Sequence, residues 1–240
     1  MTLRIRCQNC SVRQIAPCGA LTASTAHELA RIGYRRRVPA GQVLYGGVRP
    51  PQICSILVEG VVKLVNVNPD GSQQIVGLQF ASDFVGRPFG EGATLMAEAV
   101  TVLDVCAFSG PAFETLMLTH PDLERTIFKR TLNDLDAARE WMFMIARKTA
   151  GERVASLLLL IARKLAGGLD EHAQKAGLLE FNLPLSRTEI AECLGLRLET
   201  VSRQFAALKA AGVIATGRRR GLRVCDVQGL TVRARGAAVD

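Results

Sequence analysis

Three cysteines lie near the start of this chain, at Cys7, Cys10 and Cys18. Cys7 and Cys10 have the Cys-x2-Cys spacing at which two thiolates can bind one metal ion or cluster. A fourth ligand must then come from elsewhere in the chain. Cys106 is a candidate, because it lies at the end of a predicted β-strand that a folded-back N-terminal arm could cover. We therefore predict a soft-metal site formed by these four thiolates.

The identity of the metal stays open when only the spacing is considered. A site of four thiolates suits a [4Fe-4S] cluster, and it suits a structural zinc ion equally well. A chain without metal is a third alternative, because a single Cys-x2-Cys pair is a weak signal. We interpret Cys54, Cys193 and Cys225 as small hydrophobic residues, the commoner role of a free cysteine. The odd total of seven cysteines argues against a disulfide framework.

A second group of residues, near the C-terminus, predicts a helix-turn-helix that reads DNA. Ser186 and Glu189 have the spacing of a capping box, so a helix should begin at Arg187. Gly195 permits the tight turn that follows this helix. The inner face of the second helix is expected to consist of Leu198, Val201 and Phe205.

The candidate base-reading residues are Glu199, Ser202 and Arg203, which should point outward together from the start of the second helix. An arginine suits the paired acceptors of guanine, and a carboxylate suits the exocyclic amine of cytosine. Ser202 suits a thymine edge or a phosphate. The alternative is a solvated helix face with an ordinary ion pair between Glu199 and Arg203.

Basic residues are concentrated around this motif. From Arg197 to Val224 the chain has seven lysines and arginines against one acid, Glu199. The segments Val213–Ala215 and Leu222–Cys225 can pair as a β-wing beside the DNA phosphates. We therefore add four residues to the predicted DNA-binding set: Arg197, Thr200, Arg218 and Arg219.

Between the two sites, the sequence predicts an antiparallel β-roll of jelly-roll type. Short runs with strand character alternate with glycine and proline. The predicted strands are Gln42–Tyr45, Ile53–Val58, Val61–Val65, Gln74–Leu78 and Ala99–Leu103. Glu59-Gly60 and the segment from Asn68 to Gly71 have the residues that tight hairpin turns need.

After Pro121 the apolar residues follow a helical period, which predicts one long helix. Two rows of residues share one face of it: Phe128, Thr131, Leu135, Ala138, Met142 and Ile145. We predict that this face is the seam of a parallel homodimer, because a paired helix would also space two DNA readers for a palindrome. The alternative is that the face packs against the β-roll of its own chain.

These elements predict an α+β chain with four parts. The parts are a cysteine-bearing arm (1–20), a β-roll sensor domain (21–115), a dimerisation helix (116–149) and a C-terminal winged helix-turn-helix domain (150–240). A chain of 240 residues with 48% hydrophobic residues can bury such cores. Its formal net charge of +8 suits a polyanionic partner. Residues 226–240 show no clear pattern.

The composition also argues against several classes of protein. The N-terminus has no signal-peptide pattern and no apolar run is long enough for a membrane span, so we expect a cytoplasmic protein with no membrane partner. His27, His120 and His172 are dispersed, and no phosphate-cradling loop is present. We therefore expect that the protein is not an enzyme.

Taken together, these residues resemble the CRP/FNR family of transcription regulators, and within it the FNR branch of oxygen-responsive iron-sulfur proteins. The resemblance is carried by the four cysteines, by the segment Asp70–Gly77 and by Glu199–Arg203. It implies a [4Fe-4S] cluster that holds a homodimer together in the absence of oxygen. It also implies a palindromic double-stranded DNA operator with TTGAT-like half-sites. The dimer would contact RNA polymerase to activate, and sometimes repress, anaerobic or microaerobic genes.

The cyclic-nucleotide branch of this family places a glutamate and an Arg-Ser/Thr pair against the ribose and phosphate of its ligand. The corresponding stretch here, Val85–Ala97, contains no such pair. We therefore expect no cyclic-nucleotide partner. The alternative to a cluster-controlled regulator is a zinc-stabilised or metal-free constitutive DNA-binding regulator of the same fold.

Overall fold

The structure is a computed structural model that describes residues 3–4, 7, 10–46, 53–89, 95–165, 179–218 and 220–236. The chain forms two compact units, Met1–Ala138 and Arg139–Asp240. The predicted site residue Arg219 lies outside the described residues. The four-part division predicted from the sequence is finer than these two units and stays a prediction. No described helix has both the length and the apolar character needed to cross a bilayer.

The first unit is built around two antiparallel sheets. Their strands are β1 (Leu3–Arg4), β2 (Gly33–Val38), β3 (Val43–Tyr45), β4 (Ile53–Glu59), β5 (Val62–Val67), β6 (Gln73–Gln79), β7 (Phe84–Val85), β8 (Met96–Ala99) and β9 (Leu103–Ser109). The strand orders are β1-β2-β9-β4-β7 in one sheet and β3-β8-β5-β6 in the other. This arrangement confirms the predicted antiparallel β-roll.

The two predicted hairpin turns are present. Gly60, with φ +100°, joins β4 to β5, and a Cβ there would lie 2.6 Å from the carbonyl oxygen of Val102. In the turn between β5 and β6, the carboxylate of Asp70 accepts a hydrogen bond from the Ser72 amide at 2.9 Å. Local turn chemistry therefore fixes both connections, as predicted.

The predicted strand Ala99–Leu103 is wrong. Strand β8 ends at Ala99 and β9 begins at Leu103, and the residues between them carry the chain from one sheet to the other. The crossing is anchored to Val61, whose carbonyl accepts from the Val100 amide (2.9 Å) and whose amide donates to the Thr101 hydroxyl (3.0 Å). The β-branched residues of this segment favour a strand, but that preference does not distinguish a strand from a short crossing.

Strand β9 separates two hydrophobic cores. Leu103 and Val105 belong to the core between the sheets, whereas Cys106 and Phe108 belong to a second core on the opposite face. This division follows from the two-residue period of a strand, which turns successive side chains to opposite faces. The period of β9 therefore directs Cys106 away from the inside of the roll.

The second core is covered by three helices and by the N-terminal arm. The helices are α1 (Ala23–Ile32), α2 (Gly110–Thr119) and α3 (Pro121–Arg147). Phe113 of α2 lies against Phe84 and Phe108, with ring centroids 5.3 and 5.6 Å apart. The arm contributes Val12 and Ala16, and the first turns of α3 contribute Leu123 and Ile127.

In the part of the second unit that the structure describes, there are four further helices and a small sheet. They are α4 (Ala150–Leu165), β10 (Leu179–Asn182), α5 (Arg187–Leu194), α6 (Leu198–Ala210), β11 (Ile214–Thr216), β12 (Gly221–Val224) and α7 (Val227–Arg235). Helix α7 was not expected from the sequence. It is fastened to the start of the unit by its Ala234 carbonyl, which accepts from Lys148 Nζ (2.7 Å) and Ser156 Oγ (3.1 Å).

Candidate functional site

The helix-turn-helix begins at the predicted capping box. The Ser186 hydroxyl accepts from the Glu189 amide at 3.2 Å, and the Glu189 carboxylate accepts from the Ser186 amide at 2.8 Å. These two bonds satisfy backbone donors that the first turn of a helix leaves free. Helix α5 ends at Leu194 and is capped by Gly195, which has φ +61°. Both the start of the helix at Arg187 and the turn at Gly195 are confirmed.

The inner face of α6 is only partly as predicted. Val201 and Phe205 are buried, but Leu198 is 42% exposed, so its assignment to the core is wrong. Helical side chains lean toward the N-terminus of their helix. Leu198 is the first residue of α6, and its side chain therefore extends beyond the helix instead of over the core.

The candidate base readers lie together at the start of α6. Glu199, Ser202 and Arg203 are all exposed, and their i, i+3 and i+4 spacing places them on one face. Within the described chain, Glu199 and Arg203 do not form an ion pair with each other. Arg197 precedes the helix and is exposed, whereas Thr200 is half-buried. Contact of these residues with DNA stays a prediction.

The wing beside α6 is present as an antiparallel pair of strands, with Ile214 opposite Val224. Strand β10 adds a third strand that the sequence did not reveal. The basic residues of the wing differ in whether they have a partner within the described chain. Arg220 donates to the Pro184 carbonyl at 2.9 Å and Arg223 pairs with Glu180 at 3.4 Å, while Arg218 is exposed near the turn.

The four predicted ligand thiols converge. Cys7, Cys10, Cys18 and Cys106 all line one cavity beside β9 and α1. Its remaining wall is formed mainly by apolar side chains: Val12, Ala26, Leu29, Ala30, Ile56, Val58 and Phe108, with Arg13 as the charged member. Cys106 comes from β9, Cys18 from a short 3-10 turn, and the other two from the arm. The other cysteines, Cys54, Cys193 and Cys225, lie outside this cavity.

Burial shapes the acidity of these thiols. Loss of solvation raises the pKa of Cys7, that of Cys18 to about 11 and that of Cys106 to about 12. Neighbouring thiols raise the values further, since two thiolates repel each other. The thiols of Cys7, Cys18 and Cys106 would therefore stay protonated at neutral pH when no cation is bound. A bound metal changes this, because it binds the thiolate form and releases protons.

Two guanidinium groups flank the thiols, and the sequence analysis missed both. Arg13 donates to the Cys7 carbonyl at 3.4 Å, and Arg35 donates to the Cys106 sulfur at 3.8 Å. Strand pairing places Arg35 opposite Cys106. No sequence pattern reveals that register, which is why Arg35 was not singled out.

The thiols share a cavity, but they are not already arranged as a closed coordination sphere. Within the described chain, no group of three or more histidine, cysteine or acidic side chains is placed to hold a metal ion directly. The structure therefore shows that the four predicted ligands line the same cavity.

The predicted dimer face of α3 is largely exposed. Every residue from Thr131 to Glu140 is exposed, and Phe128 and Met142 are each 62% exposed. The predicted residues Thr131, Leu135 and Ala138 fall in this exposed stretch, while Ile145 is half-buried. Among the described contacts, the first third of the helix packs on the β-roll through Leu123 and Ile127, and Arg130 pairs with the carboxylate of Asp83. Leu132 and Phe143 are exposed apolar residues of the same helix that the sequence analysis did not name.

Each of the two units contains a region that matches a known protein-domain family. Residues 152–233 match the Crp-like helix-turn-helix domain, and residues 35–120 match the cyclic nucleotide-binding domain. The chain is 44% identical over 228 residues to "Probable transcriptional activator" of Rhizobium leguminosarum bv. viciae, covering 94% of this chain and 92% of that protein. It is 41% identical over 226 residues to the transcriptional activator protein FnrL of Cereibacter sphaeroides, covering 94% and 90%. The structure of FixK2 from Bradyrhizobium japonicum matches with a TM-score of 0.75 at 29% identity, covering 86% of this chain and all of that one.

Proposed function

Because this chain belongs to the CRP/FNR family of transcription regulators, we propose that it is an oxygen-responsive transcriptional activator controlled by a [4Fe-4S] cluster. The family assignment makes it a DNA-binding activator and not an enzyme. The observation that carries the proposal is the convergence of Cys7, Cys10, Cys18 and Cys106 on one cavity. This is the ligand set predicted from the sequence.

The residues of the cavity fit such a cluster. Four cysteine thiolates are the usual ligands of a [4Fe-4S] centre, and a largely apolar wall limits the access of water. A cluster held by four thiolates would be a net anion, and the guanidinium groups of Arg13 and Arg35, which contact the Cys7 carbonyl and the Cys106 sulfur, would help to balance that charge. When bound, the cluster supplies an oxygen-labile link between the arm and β9.

The cysteine cavity and the start of the dimerisation helix α3 are linked by a shared hydrophobic core and by hydrogen bonds. Leu123 and Ile127 of α3 share one hydrophobic core with Cys106, and Cys10 and Cys18 pack against that core. The carboxylate of Asp122 accepts hydrogen bonds from the Thr22 amide and the Thr25 hydroxyl, each at 2.9 Å. The start of α1, which directly follows the arm that carries three thiols, is therefore bonded to the start of α3. Release of the arm would remove Val12 and Ala16 from the core that also holds Leu123 and Ile127, and would thereby weaken the packing of α3 on the β-roll.

We propose that α3 pairs with its copy in a parallel homodimer. A helix of 27 residues with an exposed apolar face needs a partner to remove that face from water. Pairing would space two α6 helices for a palindromic operator. Cluster state alters DNA binding only if the dimer is more stable with the cluster than without it.

At each half-site, we propose that Arg203, Glu199 and Ser202 read the base edges. Arg203 suits guanine and Glu199 suits the exocyclic amine of cytosine. The G·C base pair of a TTGAT-like half-site offers both of these bases. Arg197, Thr200, Arg218 and Arg219 would contact the phosphates. The dimer would then contact RNA polymerase in the cytoplasm to activate, and sometimes repress, anaerobic or microaerobic genes.

We further propose that the β-roll acts without a cyclic nucleotide, although residues 35–120 match the cyclic nucleotide-binding domain. The sequence from Val85 to Ala97 has no Arg-Ser/Thr pair to bind a cyclic phosphate. The expected result is that added cyclic AMP leaves operator binding unchanged. A rise in affinity at micromolar ligand would contradict this part of the proposal.

The cluster is tested by anaerobic purification, followed by iron and acid-labile sulfide assays and visible spectroscopy. We expect equal amounts of iron and sulfide in the wild type and their loss in Cys106→Ala. Cys54→Ala is the matched control, because Cys54 is buried in the neighbouring strand but lies outside the cavity. A colourless protein that contains zinc or no metal would overturn the proposal in favour of a constitutive regulator.

Oxygen control is tested separately by operator binding. The anaerobic holoprotein should bind a palindromic operator, and exposure to air should weaken that binding. The loss should follow the bleaching of the visible spectrum. Equal affinity before and after exposure to air would refute cluster control, even if the cluster itself is present.

A further inference from the structure

Arg35 is placed beside the cysteine cavity by strand pairing. It lies on β2 directly opposite Cys106 on β9, and its Nη1 donates to the Cys106 sulfur at 3.8 Å. Its other two nitrogens face Asp104, with Nε donating to Oδ1 at 2.9 Å and Nη2 donating to Oδ2. One guanidinium therefore binds a carboxylate and a ligand thiol at the same time.

Asp104 fixes the direction of this guanidinium. It lies two residues before Cys106, so both side chains point to the same face of β9. A two-pronged contact with a carboxylate holds the planar group in one orientation. The remaining nitrogen is thereby aimed at the thiol. As a partly exposed ion pair, Arg35 and Asp104 would add little to stability, and the contact with sulfur is the feature that a purely structural role leaves unexplained.

We propose that Arg35 is a positioning residue that holds the Cys106 thiolate as a cluster ligand and balances its negative charge. This inference rests on the proposed [4Fe-4S] cluster. Groups that donate hydrogen bonds to the ligands of a metal centre orient those ligands and tune the centre.

The test compares the loss of the cluster from three variants of the full-length protein. Each is loaded anaerobically, and an excess of an iron chelator is then added while the visible absorbance is followed. Arg35→Gln should lose its cluster about tenfold faster than the wild type. Arg35→Lys should lie between the two, because lysine keeps the charge but not the planar fork. Arg37→Gln is the control, because it removes the same charge from an exposed position of the same strand.

A spectroscopic readout separates positioning of the thiolate from general destabilisation. A hydrogen bond to a thiolate withdraws electron density from its bond with iron. The Fe–S stretching band of the cysteine ligands in the resonance Raman spectrum should therefore move to higher frequency in Arg35→Gln. It should stay unchanged in Arg37→Gln.

The outcomes distinguish this inference from the proposed function. A wild type that contains iron and sulfide, with an Arg35→Gln variant that keeps both the wild-type rate and the wild-type band, overturns the role of Arg35 alone. A wild type that contains neither overturns the cluster, and the role of Arg35 fails with it. If Arg35→Gln does not fold, Arg35→Lys decides, and a wild-type rate of loss in that variant overturns the inference.

Discussion

Substitution of Leu135 by alanine should weaken dimerisation about 30-fold. Truncation of leucine to alanine removes side chain worth about 2.4 kcal/mol when fully buried, at ~0.8 kcal/mol per methylene. Leu135 is 44% exposed in the single chain, so dimerisation can bury roughly that part, or about 1 kcal/mol per protomer. A symmetric seam contains the residue twice, which gives about 2 kcal/mol. At 1.4 kcal/mol per factor of ten, this corresponds to a change of about 30-fold in the dimer Kd.

The assay is sedimentation of the anaerobic protein over a range of concentrations, with iron content measured in parallel. Leu118→Ala is the matched control, because Leu118 is 76% exposed but lies on α2 instead of α3. We expect it to dimerise like the wild type. Unchanged dimerisation of Leu135→Ala, or equal weakening by both substitutions, would show that the exposed face of α3 is not the seam.

Three further predictions concern DNA reading and the core. Arg203→Ala should lose about 1–3 kcal/mol of binding at a guanine-containing half-site, measured by fluorescence anisotropy, and uniform weakening on every sequence would instead indicate a phosphate contact. Asp122→Ala should destabilise the first unit by about 1–2 kcal/mol in urea unfolding at pH 7, because the Thr22 and Thr25 donors lose their acceptor. Desolvation raises the pKa of Asp122, but the hydrogen bonds from Thr22 and Thr25 together outweigh it and hold the pKa below its ordinary value of 3.8. The difference in unfolding free energy between wild type and variant should therefore disappear as the pH falls below that value, and a difference that persists there would contradict this origin. Phe113→Ala should cost about 3–5 kcal/mol in the same experiment, since Phe113 is fully buried between Phe84 and Phe108, and a loss under 1 kcal/mol would mean that the core refills the space.

Features fixed by neighbouring residues could be predicted from the sequence. The capping box at Ser186, the turn at Gly195 and the burial of Val201 each depend on a few consecutive residues. The same holds for the hairpin turns at Gly60 and Gly71, where a positive φ favours glycine. These local patterns placed the predicted base readers on an exposed face.

Features fixed by distant parts of the chain could not be predicted in this way. The contact between Arg35 and Cys106 depends on the register of β2 against β9, and that register is set by the whole sheet. Leu198 has the right type for a core residue, but its place at the helix start exposes it. Helix α7 has a weak apolar pattern, and its packing on α4 is a tertiary feature.

The alternation of side chains along β9 restricts how this chain can change. Cys106 and Phe108 face the core that the arm covers, while Val105 and Ala107 fill the interior of the roll. Insertion or deletion of one residue within the strand would exchange these two sets, since a strand slipped by a single position turns every side chain over. The thiol would then lie among aliphatic side chains and the valine would face the arm. Within β9, only insertions or deletions of an even number of residues would therefore keep the side chain of Cys106 on the face that the arm covers.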